Sequence, residues 1–241
     1  MPVNSWFPLF LSKLKVFLTF VVIFLVIFFG LFLLDYFLKV KEIVIADSNK
    51  NQSVAGLSNY KSKNIILVSS DQMSSEIKAK NPLIKSVRIT KKYPATLFID
   101  FDFYSIKAQL IVGGGFFQLS SDSRILSKNK DRSDNYPTIT YYQKLDYYSY
   151  NAGDYLDNND INKGLYFMNV LGNLDLRVDS LDIADKDMLV FNVGDKKVFF
   201  TVEKDSQFQS YELGEVLRRL KSKGQDFRSI DLRFDKPVVG F

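Results

Sequence analysis

The chain contains no His and no Cys. That removes Ser-His-Asp and Cys-His nucleophilic catalysis and the usual zinc sites. Acid pairs are the remaining route to chemistry, since two carboxylates can share general acid and base work. Asp154, Asp157 and Asp160 stand close together, but they precede a helical pattern, where acids meet a favourable dipole and cap the first turn. They also fail the calcium-loop pattern, because Ile161 and Asn162 stand where a ligand and the turn glycine belong. Gly113-Gly114-Gly115 lacks a following Lys-Ser/Thr pair and precedes no helix, so it reads as a hairpin turn rather than a phosphate loop. Tyr141, Tyr142, Tyr147, Tyr148, Tyr150 and Tyr155 form an aromatic cluster. Stacking on sugar rings is one reading of it; strand aromatics in a half-buried sheet are the expected one. No catalytic, cofactor or metal site is expected.

What must position any function is a membrane anchor. Residues 16–34 carry no charge and are apolar on every side. As a helix at about 1.5 Å per residue the run approaches the roughly 30 Å of a bilayer core. Lys13 and Lys15 close one end and Asp35 and Lys39 the other, with Trp6 and Tyr36 placed for the interface. A cleaved signal peptide would have a shorter apolar region and a small-x-small site, and Leu34-Asp35-Tyr36-Phe37-Leu38 offers none. Basic residues flank both ends, so charge alone leaves the orientation open.

Roughly 200 residues follow, enough for one large or two small domains. The net charge of +5 is mild and the cations are scattered among acids, which fits a solvated face near anionic lipid better than a nucleic-acid surface. Met1 to Lys15 reads as an irregular tail. Val40 to Ile45 alternates as a strand, and residues 47–51 carry turn chemistry. Val54 to Tyr60 suggests a weak helix and Asn64 to Val68 a short extended run. Ser69 with Gln72 opens a helix that Asn81-Pro82 ends. Ile84 to Lys92 and Thr96 to Phe103 read as strands about Tyr93-Pro94-Ala95, the second with Leu97, Ile99 and Phe101 on one face. A three-stranded sheet covered by two helices follows.

The second half is β-rich. Lys107–Val112, Phe116–Leu119 and Arg124–Leu126 read as strands, and an extended stretch runs from Tyr136 to Tyr150. A helix capped by Asp157-Asn158 runs to Leu171. Then come strands at Val178–Ile183, Met188–Val193 and Lys197–Glu203, with a hairpin about Gly194-Asp195. An amphipathic helix covers Ser206 to Lys223, and strands at Phe227–Phe234 and Val238–Phe241 end the chain, the last as an open edge.

Several words in this order resemble the bacterial cell-division family FtsQ/DivIB. Lys39-Val40-Lys41-Glu42-Ile43-Val44-Ile45 is similar to the family's first POTRA strand. Asn81-Pro82-Leu83-Ile84-Lys85-Ser86-Val87-Arg88-Ile89 is similar to its "x-x-P-x-V-x-x-A-x-V" stretch. Lys91-Lys92-Tyr93-Pro94-Ala95-Thr96-Leu97-Phe98-Ile99 follows "R-x-x-P-x-T-L-x-I", and Ile230-Asp231-Leu232-Arg233-Phe234 follows "V-D-L-R-F". Three motifs depart: Ala46-Asp47 replaces a glycine, Asp102 to Ala108 lacks the Arg and Pro of "E-R-x-P-x-A", and Asp122-Ser123-Arg124-Ile125-Leu126 lacks its glycine.

The resemblance implies an α+β protein with a cytoplasmic tail (1–15), a transmembrane signal anchor (16–34), a POTRA domain (35–105) and a β domain (106–241) with an antiparallel sheet and two helices. It implies a non-enzymatic divisome scaffold in the plasma membrane, N-terminus inside and the domains outside, expected at the septum. Its implied partners are FtsB/DivIC-like and FtsL-like small coiled-coil proteins, bound by pairing strands at the C-terminal edge. No nucleic acid is implied, and peptidoglycan contact rests on the tyrosine cluster alone. Arg233, Phe234, Asp235, Val238, Val239 and Phe241 are the residues this assigns to partner binding. Arg suits bidentate capture of a carboxylate and Phe an apolar anchor. A local ion pair for Arg233 and a core place for Phe234 compete with that assignment. A membrane-anchored POTRA-type module of another envelope-assembly or secretion system is the alternative function.

Overall fold

The computed structural model describes residues 6–46 and 53–241, with side chains from Phe17 onward. The turn expected at residues 47–51, the first five residues, and the side chains of Trp6, Lys13 and Lys15 lie outside what is described. Contacts divide the chain at Asp102/Phe103 into two units.

In the first unit, helix α1 spans Trp6–Phe37. The tail read as irregular is therefore helical from Trp6. Pro8 is third in the helix, where its missing N–H has no intrahelical acceptor in any case. Once nucleated, the helix gains one backbone hydrogen bond for each residue it adds. Residues Phe17–Phe37 are long and apolar enough to cross a membrane, and none of that stretch is buried in the protein.

Strand β1 (Glu42–Ile45) follows, then a single 3-10 turn at Leu57–Tyr60, helix α2 (Ser70–Lys80), β2 (Ile84–Lys92) and β3 (Thr96–Phe103). The expected first helix is reduced to that 3-10 turn, opened by Gly56 at φ +92°. The expected extended run at residues 64–68 is a turn, held by one bridge between Asn64 and Lys39. The start of α2 is as the sequence suggests: Ser69 accepts from the N–H of Gln72 at 3.3 Å. The Gln72 side chain does not complete a capping box and donates to Glu76 instead. The sheet order is β1-β3-β2, with β1 parallel to β3. Leu97, Ile99 and Phe101 alternate into the core, as do Met73 and Ile77 from α2.

The second unit holds one sheet of nine strands among the described residues: β4 (Ala108–Val112), β5 (Gly115–Leu119), β6 (Ile125–Asn129), β7 (Thr138–Tyr141), β8 (Ser180–Asp185), β9 (Met188–Val193), β10 (Lys196–Thr201), β11 (Ser229–Asp231) and β12 (Val238–Gly240). Helix α3 (Asn159–Asn173) links β7 to β8, and α4 (Ser206–Ser222) links β10 to β11. The order is β12-β11-β10-β9-β8-β7-β4-β5-β6.

The antiparallel sheet expected here is mixed. β4 with β7, β7 with β8, and β10 with β11 are parallel. Parallel neighbours need a long crossover, and α3 and α4 supply two of them. Both crossovers leave strands of the same direction and step the same way along the sheet. The right-handed rule therefore puts both helices on one face. The core lies between that face and the helices. Phe167 of α3 stacks on Phe200 of β10 with ring centroids 3.9 Å apart, and Phe191 meets Phe200 edge-on at 5.5 Å. The other face is half-open and polar in part: Asn192 Nδ2 donates to Ser180 Oγ and Asp182 Oδ2 across β8 and β9. Two expected strands are shorter than read. The stretch from Tyr136 forms a strand only over Thr138–Tyr141, with one further bridge from Asp146 to Gly113, and that from Phe227 only over Ser229–Asp231.

The β4–β5 hairpin turns at Gly114, φ +97°. Gly115 is constrained by space: a Cβ there would lie 2.5 Å from the carbonyl oxygen of Asn129 and 2.7 Å from the Tyr147 ring. Because the nearer obstacle is backbone, Gly115→Ala is expected to destabilise the protein by about 1–3 kcal/mol, measured by denaturant unfolding. Gly114→Asn, which tolerates a left-handed backbone in open space, is expected to cost less in the same assay.

Candidate functional site

The nine-stranded sheet has two edges. At the β6 edge, residues 150–156 run alongside and bond to it. Ile125 N–H donates to Asp154 O, Gly153 N–H donates to Ile125 O, and the Lys128 ammonium donates to Tyr150 O. At the other edge, β12 pairs with β11 on its inner side, and no strand among the described residues pairs with its outer side. Pro237 precedes it and brings no N–H.

Register decides which way each candidate side chain points. Ile230 opposes Val239 and Asp231 opposes Val238. Ile230 is fully buried on the helix-covered face, so its partner Val239 packs against the core. Val238 stands with Asp231 on the open face and is 54% exposed. The alternation continued carries Phe241, 67% exposed, back to the side of Val239. Phe234 is 56% exposed, so a core place for it is ruled out. Asp235 is exposed as well. The six assigned residues are thus split. Phe234, Val238 and Phe241 offer apolar surface, and Val239 is already used within the protein.

Arg233 is paired within its own segment. Its Nε donates to Asp231 Oδ1 at 2.9 Å and its Nη2 to Asp231 Oδ2 at 2.6 Å. Its Nη1 faces Met188 Sδ at 3.0 Å, and the guanidinium lies 5.1 Å from the centre of the Phe199 ring. The fork that could clasp a partner's carboxylate already clasps Asp231. Burial opposes ionisation of Asp231, but the hydrogen bonds from the Arg233 side chain and backbone outweigh it and hold the carboxyl below its usual value. Hydrogen bonding to Asp231 raises the Arg233 guanidinium in turn. The Lys204 ammonium donates to the carbonyls of Leu232 and Phe234 and so pins the bend at residues 233–236. The local ion pair that competed for Arg233 in the sequence is the one formed, and its mate, not named there, is Asp231. The two residues lie close in sequence, Asp231 ending β11 and Arg233 opening the bend that follows it.

The acids and tyrosines are placed by packing. Asp160 Oδ1 accepts from the Ile161 N–H at 2.9 Å and from the Tyr141 hydroxyl at 3.3 Å. Burial, with Asp160 beside it, pushes the Tyr141 phenol up. Asn158 caps no N–H with its side chain and donates to Tyr141 instead. Asp154 accepts from the Asn151 N–H. Tyr147 is buried against Phe117, with the Lys130 ammonium 3.9 Å from its ring centre, while Tyr148 is exposed. No group of three acids that could hold a metal is present among the described residues.

Comparison with known proteins gives one family match: residues 38–100 fit the family model described as "POTRA domain, FtsQ-type". No curated protein matches the chain. Among solved structures, the major extracytoplasmic domain of the trans isomer of the bacterial cell division protein DivIB from Geobacillus stearothermophilus is similar. The identity is 15%, the match covers 42% of this chain and 81% of that one, and the TM-score is 0.27. The FtsQ/DivIB resemblance seen in the sequence is borne out at the POTRA domain.

The Asp231–Arg233 pair has a pH signature. A carboxyl held below its unfolded value of about 3.9 contributes stability that is complete above that pH and is lost as pH falls through the folded value. Asp231→Asn is therefore expected to cost about 1–2 kcal/mol near neutral pH. The gap to the parent protein should close below about pH 4. Unfolding curves of both proteins across that range check it, and a gap constant with pH would contradict it.

Proposed function

We propose that this chain, whose residues 38–100 form an FtsQ-type POTRA domain, is a membrane-anchored, non-enzymatic scaffold of the bacterial cell-division machinery. In this reading α1 anchors it in the plasma membrane with the N-terminus inside, and both units work outside. β12 then receives a strand from a small coiled-coil division protein of the FtsB/DivIC or FtsL kind. Residence at the septum follows from that partnership.

The observation that carries the partner reading is the unpaired outer side of β12 beside three exposed apolar side chains. β-Augmentation uses those two features together: backbone groups for affinity and alternate side chains for selection. Phe234 and Val238 serve as anchors near the open face, and Phe241 serves the opposite face. Arg233 takes a supporting part, since its fork is committed to Asp231. Chemistry of catalysis has no place in this reading: the chain lacks His and Cys, and Asp154 and Asp160 of its acid cluster accept local hydrogen bonds.

Val238→Glu with Phe241→Glu in the full chain puts charge on two exposed positions of that edge without touching buried residues. The expected result is a loss of affinity for the FtsB/DivIC-like protein of the same genome of at least about tenfold, or ~1.4 kcal/mol. The folding transition should be unchanged, and a fluorescent fusion should leave mid-cell. Unaltered affinity would overturn the edge assignment. A uniform envelope signal from the parent protein would instead favour a POTRA-type module of another envelope-assembly system.

A further inference from the structure

The first unit carries apolar surface that its own fold does not use. Leu67 is 82% exposed, and Ile66 beside it is exposed too. Both sit in the turn after Asn64. That turn is bound to the exit of α1: Asn64 Nδ2 donates to Asp35 Oδ1 at 2.8 Å, and Ile65 N–H donates to Leu38 O at 2.8 Å. Two residues further, Val40 N–H donates to Lys63 O at 2.8 Å. The turn is therefore fixed at the point where the apolar helix ends.

The β2–β3 turn lies at the same end. Lys41 N–H donates to Ala95 O at 2.8 Å, and the Lys91 ammonium reaches Ile66 O at 3.3 Å. That turn exposes Tyr93. Nine residues of β2 at about 3.3 Å each separate Tyr93 from Leu83, exposed at the far end of the same strand, by roughly 30 Å. Cations border the near end. Lys39 pairs with Asp35, and the Lys41 ammonium lies over the Tyr36 and Phe37 rings at 5.7 and 5.9 Å.

We propose that this end of the POTRA domain is a bilayer-docking surface: Ile66, Leu67 and Tyr93 enter the interfacial layer around α1, and Lys41, Lys91 and Lys92 meet anionic headgroups. The proposal rests on α1 crossing the membrane. The occupant follows from continuity with the anchor, because any surface tied within a few residues of a spanning helix faces lipid headgroups. The composition matches that layer. Tyrosine rings favour the interface, and lysine stems lie along apolar surface while their heads seek phosphate. Docking would add a membrane contact to the hydrogen bonds that already hold the domain against the end of α1.

The absence of native cysteine makes the test direct. Single variants Leu67→Cys, Leu83→Cys and Phe24→Cys, each labelled with an environment-sensitive fluorophore, are reconstituted as full chains in vesicles of phosphatidylglycerol and phosphatidylcholine. All three replaced side chains are exposed, so the fold is preserved. The expected result is blue-shifted emission at 67, quenched by lipids spin-labelled near the headgroup, with water-like emission at 83 and deep quenching at 24. The signal at 67 should weaken in phosphatidylcholine alone and at high salt, which screens the lysines. Water-like emission at 67 with deep quenching at 24 would overturn the docking surface and leave the anchor standing. Equal quenching at 67 and 83 would overturn the proposed orientation. Water-like emission at 24 would remove the anchor itself, and docking with it.

Discussion

A strand at the rim of a sheet carries a row of N–H and C=O groups that nothing inside the sheet can satisfy. Nine strands in an open order leave two such rows, and this protein treats them differently. At β6 the chain doubles back, and residues 150–156 take up backbone bonds that would otherwise face water. At β12 the strand is three residues long, follows a proline, and is flanked by a bend held by Lys204 and by the Asp231–Arg233 pair. Short length and a neighbouring proline are the usual protections against unwanted pairing. The exposed apolar side chains beside this strand work the other way. The β6 rim is closed by the protein itself, and the β12 rim is short and has no pairing strand on its outer side among the described residues.

The first unit answers a comparable problem at the end of α1. The last carbonyls of a helix lack intrahelical donors. Leu38 O receives the Ile65 N–H, and the Asp35 side chain receives Asn64. These bonds join the anchor to the folded domain by two chain segments, at residues 38–41 and at the 63–65 turn. A single tether would let the domain swing, whereas two points of attachment restrict it. The POTRA sheet also shields one of its two outer strands with charge. β2 carries Lys85, Arg88, Lys91 and Lys92, a row of cations that discourages another strand from pairing there.

Much of this was legible in the sequence because the signals were local. The uncharged run at residues 16–34, the Ser69 cap, the alternation of Leu97, Ile99 and Phe101, and the glycine turns at 113–115 and 194 each depend on a few neighbouring residues. The parallel pairs were not legible as strands. Their trace was the placing of α3 between β7 and β8, and of α4 between β10 and β11, which read as separate helices until their crossover role was seen. The aromatic stretch after Tyr141 looked extended because its residues favour strands. Tertiary packing overrode that preference: Tyr147 turns inward onto Phe117, and the backbone touches the sheet there only through the Asp146–Gly113 bridge. At the candidate edge the residue types were legible and their directions were not. Whether Val238 or Val239 is free follows from a register that one residue's slip would reverse.

That register also changes what Arg233 can do. An arginine chosen to capture a carboxylate gains most when its fork arrives unpaired, and here Asp231 fills it with two short hydrogen bonds. Exchange for an outside carboxylate would leave Asp231 partly buried without its mate, a cost that a solvent-exposed ligand can hardly repay. The same pair has a geometric effect. It fixes the backbone just after β11 with the guanidinium over Phe199, and the Arg233 N–H also donates to Asp231. The chain must then bend at residues 233–236 before β12 begins, and that bend directs Phe234 outward. Arg233 holds the shape of the edge, and its neighbour Phe234 is left exposed.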